Sequence, residues 1–423
     1  MPSPRVSFYT LGCRVNQYET RRWMAQLPEE IAIVPITQTA DIVVINSCLV
    51  TSQAERDTRQ IIHRARRSNP EATIITTGCY VDLHDDTGEI EPGMVIFSRE
   101  EKDQIPAFIL RHLGIEYSGP RELPGFAPAA SRPPLLIQTG CDKRCAYCII
   151  PHVRGASWSR PSEEIFRELT SMAGTFGEVV LTGINLGSWQ EGSHSFGWLL
   201  EKLLDLLGDK TRIRMGSIEP EYVTDHVISL MSHERLAPHI HLPLQGTSNP
   251  VLRDMGRPGT VDAYRRLIDN ILQVNPLVAV GADVIAGYPT ETDEHHRAGM
   301  EFVRDMPLAY LHVFPYSSRP GTRAAQLKPL KSGVARERAR ELRTIDAGLR
   351  SAFLSGFVGR TVLVATERRL SGKNLHQGMA GEFFPVNFTA DLPPERLQKV
   401  RITHYADTIK GVALDRSGAL SHQ

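Results

Sequence analysis

Cys141, Cys145 and Cys148 stand at the spacing C-x3-C-x2-C, with Tyr147 directly ahead of the last thiol. Three thiolates on one short loop can hold three irons of a cubane iron–sulfur cluster and leave the fourth iron without a protein ligand. A cluster that only carries electrons normally takes four cysteines, so a missing ligand leaves a coordination position for another molecule. Structural zinc is the alternative chemistry. It needs closure by a fourth ligand, and His152 would give C-x3-C-x2-C-x3-H, an unusual finger spacing.

The chain has six cysteines, and the other three, Cys13, Cys48 and Cys79, are far apart in sequence. Each follows an apolar, β-prone run: residues 6–10 before Gly12-Cys13, 41–47 before Cys48, and 72–77 before Gly78-Cys79. Continuous Val/Ile runs separated by helical stretches read as buried parallel strands. The intervening helices are expected at 16–26 and 52–67, the second with Ile61 and Ile62 facing inward, and a short strand at 94–97 extends the sheet. Open α/β sheets place ligands at the carboxyl ends of their strands. A single buried cysteine is usually a small core residue. Three of them, each at a strand's carboxyl end, point instead to a second three-cysteine cluster.

The stretch 118–134 holds Pro120, Pro124, Pro128, Pro133 and Pro134 and reads as a linker. From 135 to 318 six strands are expected, at 135–139, 178–182, 212–216, 240–244, 278–285 and 308–315, with amphipathic helices such as 196–207 and 261–274 between them. Ser162 and Thr292 precede acidic first turns and are expected to cap helices. Six β/α units make an incomplete barrel with its ligand site at the strands' carboxyl ends, where the Cys141 loop follows the first strand. A helix after 321 carries the apolar stripe Leu342, Ile345, Leu349 and Phe353. Its Arg336, Arg338, Arg340, Arg343 and Arg350 read as a solvated face or a nucleic-acid surface. Beyond 358 short β-like runs carry Arg360, Arg368, Arg369, Lys373, Lys399, Arg401 and Lys410, a mildly basic β-barrel suited to phosphate contacts.

The fold class is therefore α/β. An N-terminal open parallel α/β sheet (1–117) and a linker (118–134) precede a central incomplete (β/α)6 barrel with a trailing helix (135–357). A small C-terminal β-barrel (358–423) completes the chain. At 423 residues the chain suits two or three units. Its 41% hydrophobic and 23% charged residues are an ordinary globular composition. No apolar run approaches the ~20 residues that span a bilayer, and the first residues enter a strand-like run without a signal peptide. A cytoplasmic location with reduced cysteines is expected. Formal net charge is zero, so any nucleic-acid contact must come from a local patch.

The Cys141 loop, continuing through Ile149-Ile150-Pro151-His152-Val153-Arg154-Gly155, resembles the cluster loop of radical S-adenosylmethionine enzymes. The whole chain resembles their methylthiotransferase branch, and its tail resembles the RNA-binding TRAM domain. The resemblance extends to Gly177 through Asn185, to His241-Leu242-Pro243-Leu244-Gln245, to Asp283 through Thr292, and to Tyr316 through Thr322. Around the first cysteine, Thr10 through Thr20 is closest to the enzymes acting on N6-threonylcarbamoyladenosine at position 37 of tRNA. Ser47-Cys48-Leu49-Val50-Thr51 and Arg59-Gln60-Ile61-Ile62 fit that branch too. Gly246-Thr247-Ser248 departs from the family's serine-glycine-serine, and Val81-Asp82 stands where alanine-glutamine is common.

The resemblance implies two 4Fe–4S clusters, one on Cys141, Cys145 and Cys148 and one on Cys13, Cys48 and Cys79. It implies S-adenosylmethionine held by Tyr147, Gly183, Asn185, Ser217 and Gln245, with the Val284-Ile285 strand offering backbone contacts to the adenine. The reaction implied is insertion of a methylthio group at C2 of the modified adenine. The implied partners are tRNA and an electron donor protein of the flavodoxin or ferredoxin type, with no membrane. The rival substrates are isopentenyladenosine in tRNA and an aspartate of a ribosomal protein. A reading from another class is a non-catalytic zinc- and RNA-binding protein.

Overall fold

The computed structural model describes residues 3–84, 93–116, 131–371, 374–390 and 393–414. Residues 118–130 of the expected linker, and Lys373 of the basic tail, lie outside the described residues. The chain forms two units. One comprises 1–129 with 139–143 and 149–158; the other comprises 130–138, 144–148 and 159–423.

In the first unit the order along the chain is β1 (Arg5–Thr10), α1 (Arg14–Ala25), β2 (Ala32–Val34), β3 (Ile42–Ser47), α2 (Ser52–Ser68), β4 (Thr73–Gly78), α3 (Cys79–His84), β5 (Val95–Phe97) and α4 (Ile105–His112). The strands form one five-stranded sheet in the order β2-β1-β3-β4-β5, parallel throughout. Val6, Val44 and Ile75 pack against Trp23 of α1 and Ile105 and Ile109 of α4. Val43, Ile45 and Ile74 pack with Ile61, Ile62 and Ala65 of α2. Both faces of the sheet are thus covered, which is why its strands read as unbroken apolar runs. The short edge strand β2 and the helices α3 and α4 add to the elements expected from sequence.

In the second unit β6 (Pro134–Thr139) starts at Pro134, inside the expected linker. After the short helix α5 (Ile150–Arg154), which belongs to the first unit, come the two-residue strand β7 (Trp158–Ser159), α6 (Ser162–Met172), β8 (Glu178–Gly183), the short pair β9 (Gln190–Glu191) and β10 (His194–Ser195), α7 (Phe196–Asp205) and β11 (Arg212–Met215). Then follow α8 (Asp225–Leu230), β12 (His239–His241), α9 (Asn249–Asp254), α10 (Val261–Val274), β13 (Ala279–Ala286), α11 (Asp293–Arg304), β14 (Tyr310–Pro315) and α12 (Val334–Ser355). The six expected strands, with the short β7 added at one edge, form two sheets, ordered β11-β8-β6-β7 and β12-β13-β14. Between β11 and β12 only isolated bridges such as Ser217↔His241 connect them. The barrel is open.

Two local expectations change. Ser162 lies inside α6 rather than capping it. Its backbone N–H donates to the carboxylate of Glu191 at 3.2 Å, so a negative side chain from β9 serves the positive end of that helix. Thr292 does cap α11, closing a reciprocal box with His295. The arginines of α12 are not one solvated face. Arg338 is buried and bonds to the Glu291 carbonyl and Asp293, Arg343 donates to the Val313 carbonyl, and Arg350 lies 5.2 Å from the centre of the Tyr310 ring. Arg336 and Arg340 remain exposed.

The tail is a closed barrel of β15 (Thr361–Arg369), β16 (Leu375–Ala380), β17 (Pro385–Thr389), β18 (Leu397–Tyr405) and β19 (Ile409–Ala413), in the order β15-β16-β17-β19-β18. Val362, Val364, Val386, Phe388, Val400 and Ile402 fill it. Lys399 and Arg401 alternate outward on β18, exposed with Arg360, Arg368, Arg369 and Lys410.

Glu178, Arg212 and Arg214 join this barrel to the open one. The Glu178 carboxylate is wholly buried, 2.7 Å from the Arg212 Nε and 2.7 Å from the Arg214 Nε. The same guanidinium groups donate to the carbonyls of Leu363, Met379, Ala380 and Gly381. Burial alone would raise the Glu178 pKa, but Arg214 and Arg212 outweigh it and hold the carboxylate well below its usual range.

Candidate functional site: two sets of three thiols

In the first unit, β1, β3 and β4 are neighbours in register, with Thr10 opposite Asn46 and Ser47 opposite Gly78. Their carboxyl ends therefore coincide. Cys13 is the N-cap of α1, Cys48 follows β3, and Cys79 opens α3. Gly12 has φ +87°, and a Cβ there would lie 2.6 Å from the Cys48 Sγ, so only glycine lets the first turn close over that thiol. Gly78 has φ +93°, and a Cβ there would meet Asn46 Oδ1 and the Ser47 carbonyl at 2.6 Å each. All three cysteines are free thiols.

Buried polar side chains hold these turns. Asn16 Nδ2 donates to the carbonyls of Leu11 and Ser47, each at 2.9 Å. The Thr58 hydroxyl donates to the Cys48 carbonyl at 2.9 Å. Asn46 Nδ2 donates to the Asn16 carbonyl at 3.1 Å, while its Oδ1 is buried with no hydrogen-bond partner among the described residues.

Sequence reasoning passed over one member of this site. Arg154 ends α5, six residues beyond Cys148, and its side chain is only 2% exposed. Its Nε lies 3.2 Å from the Cys79 Sγ, its Nη1 donates to Glu19, and its Nη2 donates to Asn16 Oδ1. Ile149 and Val153 of the same stretch pack on Leu49, Cys79 and Tyr80. Burial raises the Cys79 thiol to about 11 and also raises Cys48, and the nearby Arg154 charge opposes both. The signal in the sequence was a charge closing the mostly apolar run Ile149 to Val153, which calls for a counterpart if that run is buried.

In the second unit the loop after β6 is fixed by main-chain bonds. The Ala146 N–H donates to the Met255 carbonyl and the Ala324 N–H to the Ala146 carbonyl, each at 2.8 Å, and the Cys148 N–H donates to the Cys145 carbonyl at 3.1 Å. Tyr147 packs with Ile285, Tyr288 and Tyr316. Burial pushes its hydroxyl well above the usual phenol range, against the pull of Arg257. Arg257 is itself fixed by Glu219 and by the Pro243 carbonyl at 2.7 Å. In the first unit, the Cys141 N–H donates to the Gly155 carbonyl at 3.0 Å.

The remaining expected contacts lie at strand ends of the second unit. Gly183 ends β8. Asn185 is buried, its N–H donates to Gln138 Oε1 at 2.8 Å, and its Oδ1 has no partner among the described residues. Ser217 bridges to His241 and Gln245 to Val284. Gln245 has φ +68°, a conformation uncommon outside glycine. The Val284-Ile285 expectation changes in kind. Its strand is the middle one of three, the Ile285 N–H is already given to the Gln245 carbonyl at 2.9 Å, and the Val284 side chain is buried. What this segment presents is the Ile285 side chain, which packs on the same cluster around Tyr288 as Tyr147 does.

A parallel partial barrel with a three-cysteine loop after its first strand defines a radical S-adenosylmethionine enzyme. The radical SAM superfamily model matches residues 135–303, and the model described as uncharacterized protein family UPF0004 matches residues 5–96. The threonylcarbamoyladenosine tRNA methylthiotransferase MtaB of Aquifex aeolicus is 33% identical, over 88% of this chain and 95% of the relative. MtaB of Bacillus subtilis is 31% identical, over 90% of each. The tRNA-2-methylthio-N(6)-dimethylallyladenosine synthase of Paracoccus denitrificans is 31% identical, over 97% of this chain and 98% of the relative. Among solved structures, the cobalamin-dependent S-adenosylmethionine radical enzyme OxsB superposes with a TM-score of 0.52 at 11% identity. That match covers 82% of this chain and 56% of that one, a likeness of fold alone. The chain belongs to the methylthiotransferase family of radical S-adenosylmethionine enzymes, which use S-adenosylmethionine and a 4Fe–4S cluster.

The residues present fit those groups. Cys141, Cys145 and Cys148 stand on one loop at the spacing a cubane needs, and the buried Asn185 Oδ1 is an acceptor without a hydrogen-bond partner among the described residues. Among the described residues no helix is long and apolar enough to cross a membrane.

Proposed function

We propose that this enzyme adds a methylthio group to C2 of N6-threonylcarbamoyladenosine at position 37 of tRNA. The observation that carries the reading is the gathering of Cys13, Cys48 and Cys79 at one sheet edge, in a chain that also bears the Cys141 loop. Each set is one ligand short of a closed four-cysteine site. When bound, two 4Fe–4S clusters and S-adenosylmethionine supply the radical that opens an unactivated C–H bond and the sulfur that replaces it.

The chain's own residues hold and orient. Cys141, Cys145 and Cys148 carry the cluster that meets S-adenosylmethionine, and Cys13, Cys48 and Cys79 carry the second. Tyr147 and Ile285 offer an apolar wall to the adenine of S-adenosylmethionine. Gly183, Asn185, Ser217 and Gln245 serve its polar end. The outward Lys399 and Arg401 of the small barrel suit tRNA phosphates, and the electron comes from a flavodoxin- or ferredoxin-type donor. The relative named for dimethylallyladenosine matches nearly the full chain, which supports a second reading with the same chemistry on that nucleoside. Mass spectrometry of tRNA nucleosides from a strain lacking the gene separates them. Loss of the methylthio form with accumulation of threonylcarbamoyladenosine is expected; loss of the methylthio dimethylallyl form instead overturns the assignment.

A further inference from the structure

One face of the β12–β13–β14 sheet carries an ordered set of side chains of which the roles above use only Ile285. Register places Gly281 beside Tyr310, Asp283 beside His312, and Ile285 beside Phe314. His241 is the neighbour on β12, level with Gly281. The Asp283 carboxylate lies 2.9 Å from His241 Nε2 and 3.3 Å from His312 Nδ1. The hydroxyl of Tyr310 lies 3.0 Å from His241 Nδ1 and 2.8 Å from His239 Nε2.

Proton positions follow from these partners. Burial would raise Asp283, but its bonds from His241 and His312 outweigh burial and keep it ionised. A carboxylate only accepts, so His241 Nε2 and His312 Nδ1 both carry hydrogen. The Tyr310 hydroxyl lies between His241 Nδ1 and His239 Nε2 and links the two rings. His312 is the end left open: its side chain is 46% exposed, and the exposed Phe314 ring meets it edge-on at 6.5 Å. Asp283 beneath the ring sets its orientation, with Nε2 turned away from the carboxylate.

We infer that His312, seated on Asp283 and flanked by Phe314, is a binding subsite for an anionic substituent on the target purine. The inference rests on the proposed substrate. A threonylcarbamoyl group ends in a carboxylate that an imidazolium can pair with, a dimethylallyl group offers no acceptor, and Phe314 supplies an apolar face for the base. His241, Tyr310 and His239 act through Asp283 as positioning residues.

The test measures binding of the anaerobically reconstituted full chain to anticodon stem-loops bearing threonylcarbamoyladenosine, dimethylallyladenosine or plain adenosine at position 37. The wild type should prefer the first, and His312→Ala should weaken that RNA alone by about 10- to 100-fold, the worth of one charge-assisted hydrogen bond. Asp283→Asn should reduce the same preference. If the wild type prefers the threonylcarbamoyl RNA and His312→Ala keeps the preference in full, the subsite is refuted while the substrate stands. If the wild type prefers the dimethylallyl RNA, the substrate assignment itself falls and the subsite with it. His241, Asp283 and His312 also place three donor atoms within 4.8 Å of one another. Stoichiometric cobalt(II) bound by the cluster-free chain and lost in His312→Ala would overturn the subsite in favour of a metal centre.

Discussion

Arg154 directs its Nε at the sulfur of Cys79 across 3.2 Å, although 75 residues separate them in sequence. The arginine belongs to the stretch that follows the Cys141 loop, so one short segment contributes both to that loop and to the thiol set of the first unit. Its charge is held between Glu19, Asn16 and a thiol. Wherever Cys79 becomes a thiolate, Arg154 is the cation beside it.

Under the proposed assignment of a second cluster to the Cys13 set, replacing Arg154 should alter that centre as well as the fold. Arg154→Met removes a hydrogen bond to the charged Glu19, worth about 1.5–3 kcal/mol, and leaves Lys102 as the cation paired with that carboxylate. Iron bound by the Cys13 set should fall, and the potential of that cluster should move negative because a neighbouring positive charge is gone. Iron analysis and redox titration followed by electron paramagnetic resonance read both. An unchanged potential at full iron occupancy would show that Arg154 serves packing only.

The proposed division of labour between the thiol sets predicts an asymmetric loss. Changing Cys13, Cys48 and Cys79 together to alanine should halve the iron from roughly eight per chain. It should abolish methylthio transfer yet leave 5′-deoxyadenosine formation. Chromatography of the nucleoside and nucleotide products checks it, and continued transfer by the triple variant would refute the scheme.

Glu178 gives a pH-dependent prediction. Its folded pKa is depressed, so its contribution to stability is full above the unfolded value near 4.5 and is lost as pH falls toward the folded value. Glu178→Ala leaves Arg212 and Arg214 buried without their carboxylate, at a cost of about 3–5 kcal/mol. Thermal unfolding near pH 7 should show a large drop in melting temperature, and the gap to the wild type should narrow under acid conditions.

Much of this was legible in the sequence because it rests on local pattern. The apolar runs ahead of Cys13, Cys48 and Cys79 marked three parallel strands, and the order β1-β3-β4 made those strands adjacent. All six strands of the open barrel were readable for the same reason. What escaped depends on partners distant in sequence. Ser162 looked like a cap, but Glu191 does that work from another strand. Arg338 and Arg343 looked solvated, and their acceptors are carbonyls some 47 and 30 residues away. The pairing of Asp283 with His241 and His312 is a matter of strand register, which no single stretch announces.

Arg212 and Arg214 grip the small barrel through the oxygens of Leu363, Met379, Ala380 and Gly381. Every amino acid presents that same oxygen, so the attachment makes almost no demand on which side chains the appended module displays. Its outer surface is thereby free to vary while the catalytic body keeps its hold.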